Sequence, residues 1–405
     1  MLKVQSAPQT AFVPRLIQGV VLAMLAWLTV IASGILSPVL PKIAAHFAGA
    51  SHLELKIGLV ATMPALAVAL LALPIGTLAD RVGHRRVLLI GLIAYGLAGI
   101  APFWIDSLEA VIAARFLVGV GEAAAMAMST ALIAIYFDGA DRQRWLAVQV
   151  ASANVVGVLT LFAGGFIGRM SWRAPFLAYA FSLLLFLLAL LFIRQPVRSA
   201  PPPGSTGAVR LEGAELRAVA VKCALLMAVT LSIAVIIIEL AFLLTERGVT
   251  DPAALGLGIG GSAAGIAVGA TLTGALVRAQ SRHMLAIGYG LIGIGFIAMA
   301  QPLSPALTVA AGAIAGLGCG AAIPSLLAAT MAEASPSTMG TVSGLWTAAI
   351  FVGQFAAPPV ILLLKSLTGS LASAILVVGA VAATLSLIVW ITGIGTPRRP
   401  VALHP

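Results

Sequence analysis

Three ionisable side chains stand inside long apolar stretches of this sequence, where charge is costly. Arg115 and Glu122 lie in one stretch, and Glu239 lies in another with no basic residue close to it. Ionisable groups in such surroundings are rare and usually functional. A buried carboxyl group without a fixed partner can take up and release a proton in the physiological range. These three residues are therefore our candidates for proton coupling.

Arg115 and Glu122 are seven residues apart, so a helix places them on one face, about 10 Å apart along its axis. Gly119 lies between them and lets a neighbouring helix or a ligand approach. Two interpretations follow from this spacing. Either the buried groups carry protons, or they form a static interhelical pair, such as Arg115 with one of the two glutamates across the bundle.

The composition identifies lipid as the solvent of this chain. Of its 405 residues, 61% are hydrophobic and 9% are charged, and the mean hydropathy is +1.11. Soluble domains carry roughly 25% charged residues, so a water-soluble fold of this composition could not cover its surface. The net charge of +10 comes from basic residues scattered singly between apolar spans. Because no contiguous basic face is present, we expect no nucleic-acid partner.

The sequence also lacks the patterns of enzyme chemistry. It contains no nucleotide-binding loop, no cluster of metal ligands and no nucleophile paired with a base. Cys223 and Cys319 fall inside apolar stretches, where a thiol behaves as a small hydrophobic group. We therefore expect neither catalysis nor a cofactor or metal.

Hydropathy divides the chain into twelve membrane spans, since a bilayer core of about 30 Å needs roughly 20 apolar helical residues. The predicted spans are 17–40, 57–78, 87–105, 109–136, 145–169, 174–193, 219–244, 254–277, 284–301, 306–331, 339–364 and 371–394. Between the sixth and seventh spans, residues 194–218 are rich in proline, glycine and charge and cannot cross lipid. The predicted organisation is an N-terminal bundle (1–193), a cytoplasmic linker (194–218) and a C-terminal bundle (219–405).

The distribution of lysine and arginine predicts the orientation. If the N-terminus is cytoplasmic, the inside segments hold 16 basic residues and the outside segments hold six. This asymmetry follows the positive-inside rule and places both termini in the cytoplasm. We expect a multi-pass protein of the bacterial inner membrane, surrounded by lipid and monomeric. The six outside residues are Lys42, Lys56, Arg169, Arg173, Arg247 and Lys365.

The strongest local motif lies between the second and third spans and reads GTLADRVGHRR over residues 76–86. It combines glycines at a tight turn with an acid and several bases at the membrane edge. A second motif, RFLVGVGEA, covers 115–123, and a third joins a glycine pair at 164–165 to SWRAPF at 171–176. Three positions of the first motif recur 198 residues later, which indicates two related halves. The recurring pairs are Gly76 with Gly274, Leu78 with Leu276, and Arg85 with His283.

These motifs, in a 6+6 arrangement of spans, resemble those of the major facilitator superfamily. The resemblance implies an all-α membrane fold of two six-helix bundles and transport by alternating access. It also implies a gating role for the loop: Asp80 is expected to meet the N-terminus of span 11 in the outward-facing state, and the loop arginine to pair with Asp138. The predicted gating residues are Gly76, Asp80, Arg81, Gly83, Arg85 and Asp138.

Polar side chains within spans 5 and 11 are candidates for the substrate cavity, although each is equally suited to hold helices together. They are Gln149, Asn154, Trp346 and Gln354. Among branches of the family, the compact chain most resembles drug or sugar antiporters, so we expect proton-coupled efflux of small organic molecules. The alternative is a symporter importing a small organic solute or anion, favoured by Glu122 after Gly121 and by an incomplete glycine signature in span 5. A receptor or scaffold without transport activity is the third hypothesis.

Overall fold

The computed structural model describes residues 15–195, 211, 213–276, 283–335 and 338–394. Within these residues the chain is built from helices that follow the apolar stretches. In chain order they are α1 (Arg15–His46), α2 (Leu53–Val82), α3 (His84–Phe103), α4 (Leu108–Tyr136), α5 (Gly139–Gly168), α6 (Ala174–Phe192), α7 (Gly213–Glu246), α8 (Pro252–Leu276), α9 (Met284–Met299), α10 (Pro305–Met331), α11 (Met339–Thr368) and α12 (Leu371–Thr392).

Eleven helices of the described part are long and apolar enough to cross a membrane. The remaining one, α9, is an apolar helix of 16 residues, about 24 Å at 1.5 Å per residue, and residues 277–282, before His283, lie outside the described part. The structure thus has the all-α, twelve-helix architecture expected from hydropathy. Helix α7 begins at Gly213 rather than at 219, because helix-forming residues continue the helix beyond its apolar part. Most of the predicted linker, 196–210 and 212, lies outside the described residues.

Two of the helices are interrupted in their C-terminal halves, α1 at Ser37–Val39 and α7 at Val235–Glu239. In α1 the regular turns stop at Gly34, a 3₁₀ turn follows at Ser37–Val39, and the helix resumes at Leu40. In α7 a π turn occupies Val235–Glu239 between two α-helical parts. Such breaks leave backbone groups without their usual helical partners and frequently mark functional positions.

The helices pack as two related sets of six. In the first set α2 and α3 pack on α4, and α1 packs on α5; in the second, α8 and α9 pack on α10, and α7 packs on α11. The two sets meet mainly where α2 contacts α11 and α5 contacts α8. The same pairs, offset by six helices, therefore recur, as expected for a pseudo-twofold arrangement.

The bundle has two ends, which we name by their connections. The odd-loop end holds the connections that follow odd-numbered helices, such as α1 to α2. The even-loop end holds those that follow even-numbered helices, including the motif between α2 and α3. The positive-inside count predicts that the odd-loop end is periplasmic.

Candidate transport site

Arg115 is held inside the first bundle by acceptors from three other helices. Its side chain is 1% exposed. The guanidinium donates to the carbonyl oxygen of Val60 at 2.8 Å, to that of Ala32 at 2.5 Å and to the hydroxyl of Tyr179 at 2.5 Å. Arginine suits this place because its rigid fork reaches several acceptors at once. The residue therefore fastens α1, α2 and α6 to α4.

The glycines of the RFLVGVGEA motif explain how α4 lies so close to its neighbours. A Cβ atom on Gly119 would lie 2.4 Å from the carbonyl oxygen of Pro64 in α2. A Cβ atom on Gly121 would lie 2.5 Å from the carbonyl oxygen of Gly91 in α3. Gly119 thus serves helix packing, which was one of the two roles expected for it.

Glu122 faces a cavity of about 50 Å³, which we call the inner chamber. The side chain is 3% exposed, and its Oε2 atom has no hydrogen-bond partner in the described structure. The hydroxyl of Thr29 faces the same carboxyl group. The chamber is bordered by α1, α2, α4, α7 and α11, so both bundles contribute to its wall. Its other polar lining residues are Ser33, Thr62 and Gln354.

Glu239 faces a second cavity of about 130 Å³, which we call the outer chamber. It lies at the last position of the π turn in α7 and is half-buried. The chamber also contains Glu54, Glu246 and Lys365. Lys365 donates to Glu54 at 2.8 Å and so joins α11 to α2 across the two bundles.

The structure bears on the choice between proton carriers and a static pair. Among the ion pairs of the described residues, neither Glu122 nor Glu239 is joined to Arg115, which binds carbonyl oxygens and a tyrosine instead. Glu122 and Glu239 occupy different chambers. The three candidates thus do not form one ion-paired cluster: Arg115 is bound by acceptors from three other helices, and Glu122 and Glu239 face separate cavities.

The GTLADRVGHRR motif forms the junction of α2 and α3 at the even-loop end. Gly83 has a φ of +104°, a conformation that only glycine adopts readily, and it separates the two helices. Arg85 donates to the carbonyl oxygens of Ile193 at 2.6 Å and Leu190 at 2.8 Å, which ties the motif to the end of α6. Asp80 lies 3.7 Å from His84 and is 73% exposed.

The remaining gating and cavity candidates fall into different environments. Asp138 pairs with Arg142 at 3.3 Å, one helical turn away. Gln149 donates to Ser129 at 2.5 Å and therefore links α5 to α4. Trp346 belongs to the buried core, and Asn154 is exposed on α5. Of the four cavity candidates, Gln354 shares the inner chamber with Glu122.

Several residues of the site had no distinguishing sequence signal. Tyr179 follows the SWRAPF motif by three residues, which is the one hint that it takes part. Glu54 and Lys365 stand near span ends, where charge is ordinary, and only folding shows that they meet. Thr29 and Thr62 are typical of membrane helices, in which hydroxyls usually bond to their own backbone.

The described residues thus form an all-α membrane fold: twelve helices in two related bundles, with polar cavities between them. The model of the Major Facilitator Superfamily matches residues 22–245, which is more than half of the chain. The protein belongs to this superfamily, as the motifs indicated.

Curated relatives match the chain over part of its length. The chain is 33% identical to the class C tetracycline resistance protein of Escherichia coli over 158 residues, which is 38% of each protein. It is 32% identical to the multidrug efflux pump LfrA of Mycolicibacterium smegmatis over 45% of this chain and 36% of that one. A probable 4-methylmuconolactone transporter of Cupriavidus pinatubonensis is 25% identical over 64% of each. The first relatives are thus matched over about two fifths of their length.

Solved structures agree over nearly the whole chain. A bacterial homolog of the human lysosomal transporter Spinster, in an inward-facing and unoccupied conformation, superposes with a TM-score of 0.70 at 17% identity, covering 95% of this chain and 96% of that one. A POT family transporter in complex with 5-aminolevulinic acid gives 0.75 at 14% identity, covering 96% and 98%. At these identities the likeness establishes the fold alone.

Proposed function

We propose that this protein exports small organic molecules in exchange for protons, by alternating access. The observation that carries the proposal is Glu122, a carboxyl group with one unpartnered oxygen in a chamber bordered by both bundles. An unpartnered buried charge is costly. Binding a proton removes that cost with the smallest possible ligand, and a substrate or water can replace it when the bundles move.

The direction of transport rests on the relatives, which include proteins named for tetracycline resistance and multidrug efflux. The closure of the odd-loop end favours neither direction, because exporters and importers both pass through such a state.

The second candidate is proton symport of a small organic solute. Its support is the alignment with the probable 4-methylmuconolactone transporter, which covers 64% of each chain. Glu122 serves equally well in either direction, so the sign of coupling must be measured.

Proteoliposomes with an imposed pH gradient distinguish the two. An antiporter accumulates its substrate in the acidic compartment, whereas a symporter accumulates it in the alkaline one. We expect ethidium or tetracycline to accumulate in vesicles with an acidic lumen. Accumulation in an alkaline lumen would establish symport, and failure to move either probe in both gradients would contradict drug export.

The variant Glu122→Gln tests the coupling role. We expect it to lose gradient-driven accumulation while keeping exchange of labelled for unlabelled probe, because exchange needs no net proton movement. Glu109→Gln is the matched control: it is on the same helix but exposed, where Glu109 pairs with Lys56. Gradient-driven accumulation at the wild-type rate in Glu122→Gln would refute proton coupling through this residue.

A further inference from the structure

The breaks in α1 and α7 face each other across the two bundles. The hydroxyl of Ser37, in the 3₁₀ turn, donates to the carbonyl oxygen of Ile237, in the π turn. The two positions are 200 residues apart, close to the 198-residue offset of the internal repeat. Ser37 is 1% exposed, and Ile237 is half-buried where it lines the inner chamber. One polar contact between irregular backbone segments thus holds the two bundles together here.

The π turn also forms the wall between the two chambers. Ile238 lines both the inner chamber and the outer chamber. Its side chain is 5% exposed. Ile237 lines the inner chamber, whereas Glu239 lines the outer one. Three consecutive residues of one turn therefore have three positions: Ile237 lines the inner chamber, Ile238 separates the two chambers, and Glu239 lines the outer chamber.

Charged residues line the outer chamber from the protein surface to this wall. Glu54 and Glu246 are exposed at the odd-loop end, and Lys365 is 35% exposed and bound to Glu54. Glu239 lies seven residues before Glu246 in α7, about 10 Å deeper along the helix axis. The chamber volume of about 130 Å³ is large enough for several water molecules, since one needs roughly 15 Å³. A carboxyl group in a cavity with room for water therefore stands directly outside the wall.

We propose that protons reach Glu122 from the odd-loop end through the outer chamber, with Glu239 as the loading group and Ile238 as the barrier. This inference rests on the proposed proton coupling of Glu122. The proton passes from the carboxyl group of Glu239, which becomes a carboxylate, through water to the carboxylate of Glu122, which becomes neutral. The step occurs when the π turn shifts and Ser37 releases Ile237. The charged groups that face Glu239 in the outer chamber are Glu54, Glu246 and Lys365. Their electrostatic field acts on Glu239 when it binds a proton.

A proton leak measured without substrate tests the barrier. Purified protein is placed in vesicles that contain pyranine, and the lumen pH is followed after a gradient is imposed with potassium and valinomycin. We expect Ile238→Ser to raise the leak on the order of tenfold over wild type, which corresponds to a barrier lowered by about 1.4 kcal/mol. Adding Glu239→Gln to Ile238→Ser should return the leak to the wild-type rate.

The matched control is Ile233→Ser, on the same helix and lining the inner chamber alone. It widens that chamber and leaves the wall intact, so it should not leak. An equal leak in Ile233→Ser, no leak in Ile238→Ser, or a leak that survives Glu239→Gln would each overturn the route. Circular dichroism and monodisperse elution establish that each variant is folded.

A second measurement separates this inference from the proposed function. In Glu239→Gln we expect gradient-driven accumulation of ethidium to fall, with exchange unchanged. If wild-type protein shows no gradient-driven accumulation, the proposed function fails. If wild type accumulates the probe and Glu239→Gln does so at the same rate, the route through the outer chamber fails while the proposed function stands.

Discussion

The two ends of the bundle are held together in different ways. At the odd-loop end, polar contacts cross from one six-helix set to the other, between α1 and α7, α2 and α11, and α5 and α8. At the even-loop end, the hydrogen bonds and ion pairs between described residues stay within one set. Those that cross at the odd-loop end are Ser37 with Ile237, Glu54 with Lys365, and Arg169 with Asp251. Those that stay within a set include Lys222 with Glu333, Thr338 with Glu215, and Arg85 with Ile193.

Backbone packing follows the same division. A Cβ atom on Gly165 of α5 would lie 2.4 Å from the carbonyl oxygen of Pro252, and one on Gly256 of α8 would lie 2.6 Å from that of Leu161. Contacts at the odd-loop end thus stabilise one arrangement of the two sets, whereas contacts at the even-loop end stabilise each set by itself. Changes at the two ends should accordingly alter different observables.

A reporter of the odd-loop end makes this comparison measurable. Val39 is fully buried and packs where Gly168 of α5 approaches. In a background with Cys223 and Cys319 replaced by alanine, Val39→Cys should react with an impermeant maleimide only when the odd-loop end opens. Ser51→Cys, exposed in the α1–α2 connection, supplies the reference rate.

The largest effect on stability is expected at the even-loop end, for the variant Lys222→Met. Lys222 and Glu333 are 2.8 Å apart, with side chains 6% and 16% exposed. Removing the lysine leaves a buried carboxylate without its partner, which costs about 3–5 kcal/mol. We expect a lower Tm in detergent and an unchanged labelling rate at Val39→Cys. Lys222→Met combined with Glu333→Leu should recover most of the Tm, and a changed labelling rate would contradict the division between the ends.

The second effect is expected at the odd-loop end, for Gly165→Ala. The added methyl group meets backbone atoms of Pro252 and Ala253, which cannot move aside as a side chain does. Overpacking of this kind costs about 1–3 kcal/mol. Here it destabilises the arrangement in which the odd-loop end is closed. We expect faster labelling of Val39→Cys with little change in Tm. Gly157→Ala is the control, because its methyl group would meet only the side chain of Val30 at 3.5 Å.

A smaller effect is expected for Lys365→Ala, which breaks the ion pair between α11 and α2. An exposed pair of this kind contributes about 0–1 kcal/mol, so labelling should rise by roughly fivefold at most. The swapped pair Glu54→Lys with Lys365→Glu should restore the wild-type rate. Equal labelling in the single and swapped variants would show that the pair does not hold the bundles together.

The smallest expected effect is that of pH on the labelling rate at Val39→Cys. Hydrogen bonds from Arg169 hold the pKa of Asp251 at about 2, below its ordinary value of 3.8. A lowered pKa means that the pair stabilises the closed end fully above about pH 4 and loses this contribution as the pH falls through 2. In a Glu122→Gln, Glu239→Gln background, labelling at Val39→Cys relative to Ser51→Cys should therefore be constant from pH 5 to pH 8. A steep pH dependence there would identify another titrating group in the interface.

Much of this architecture was readable in the amino-acid sequence. Apolar stretches of about 20 residues must become helices in lipid, because every backbone polar group there needs an internal partner. The GTLADRVGHRR and RFLVGVGEA motifs indicated the superfamily, since glycines at close helix contacts and charges at a membrane edge constrain sequence strongly. The same reasoning selected Glu122 and Glu239 as unusual, because carboxyl groups in apolar stretches are costly.

What each of those residues meets was decided by tertiary structure. Arg115 and Glu122 are both ionisable residues in the same apolar stretch. The structure shows that Arg115 is bound by carbonyl oxygens, whereas Glu122 faces a cavity. Lys365 and Glu54 are 311 residues apart and pair only because α2 and α11 meet. Hydropathy fixes which segments enter the membrane, since it depends on each segment alone. The contacts that close one end and leave carboxyl groups in chambers depend on how helices rotate and cross, which no local pattern specifies.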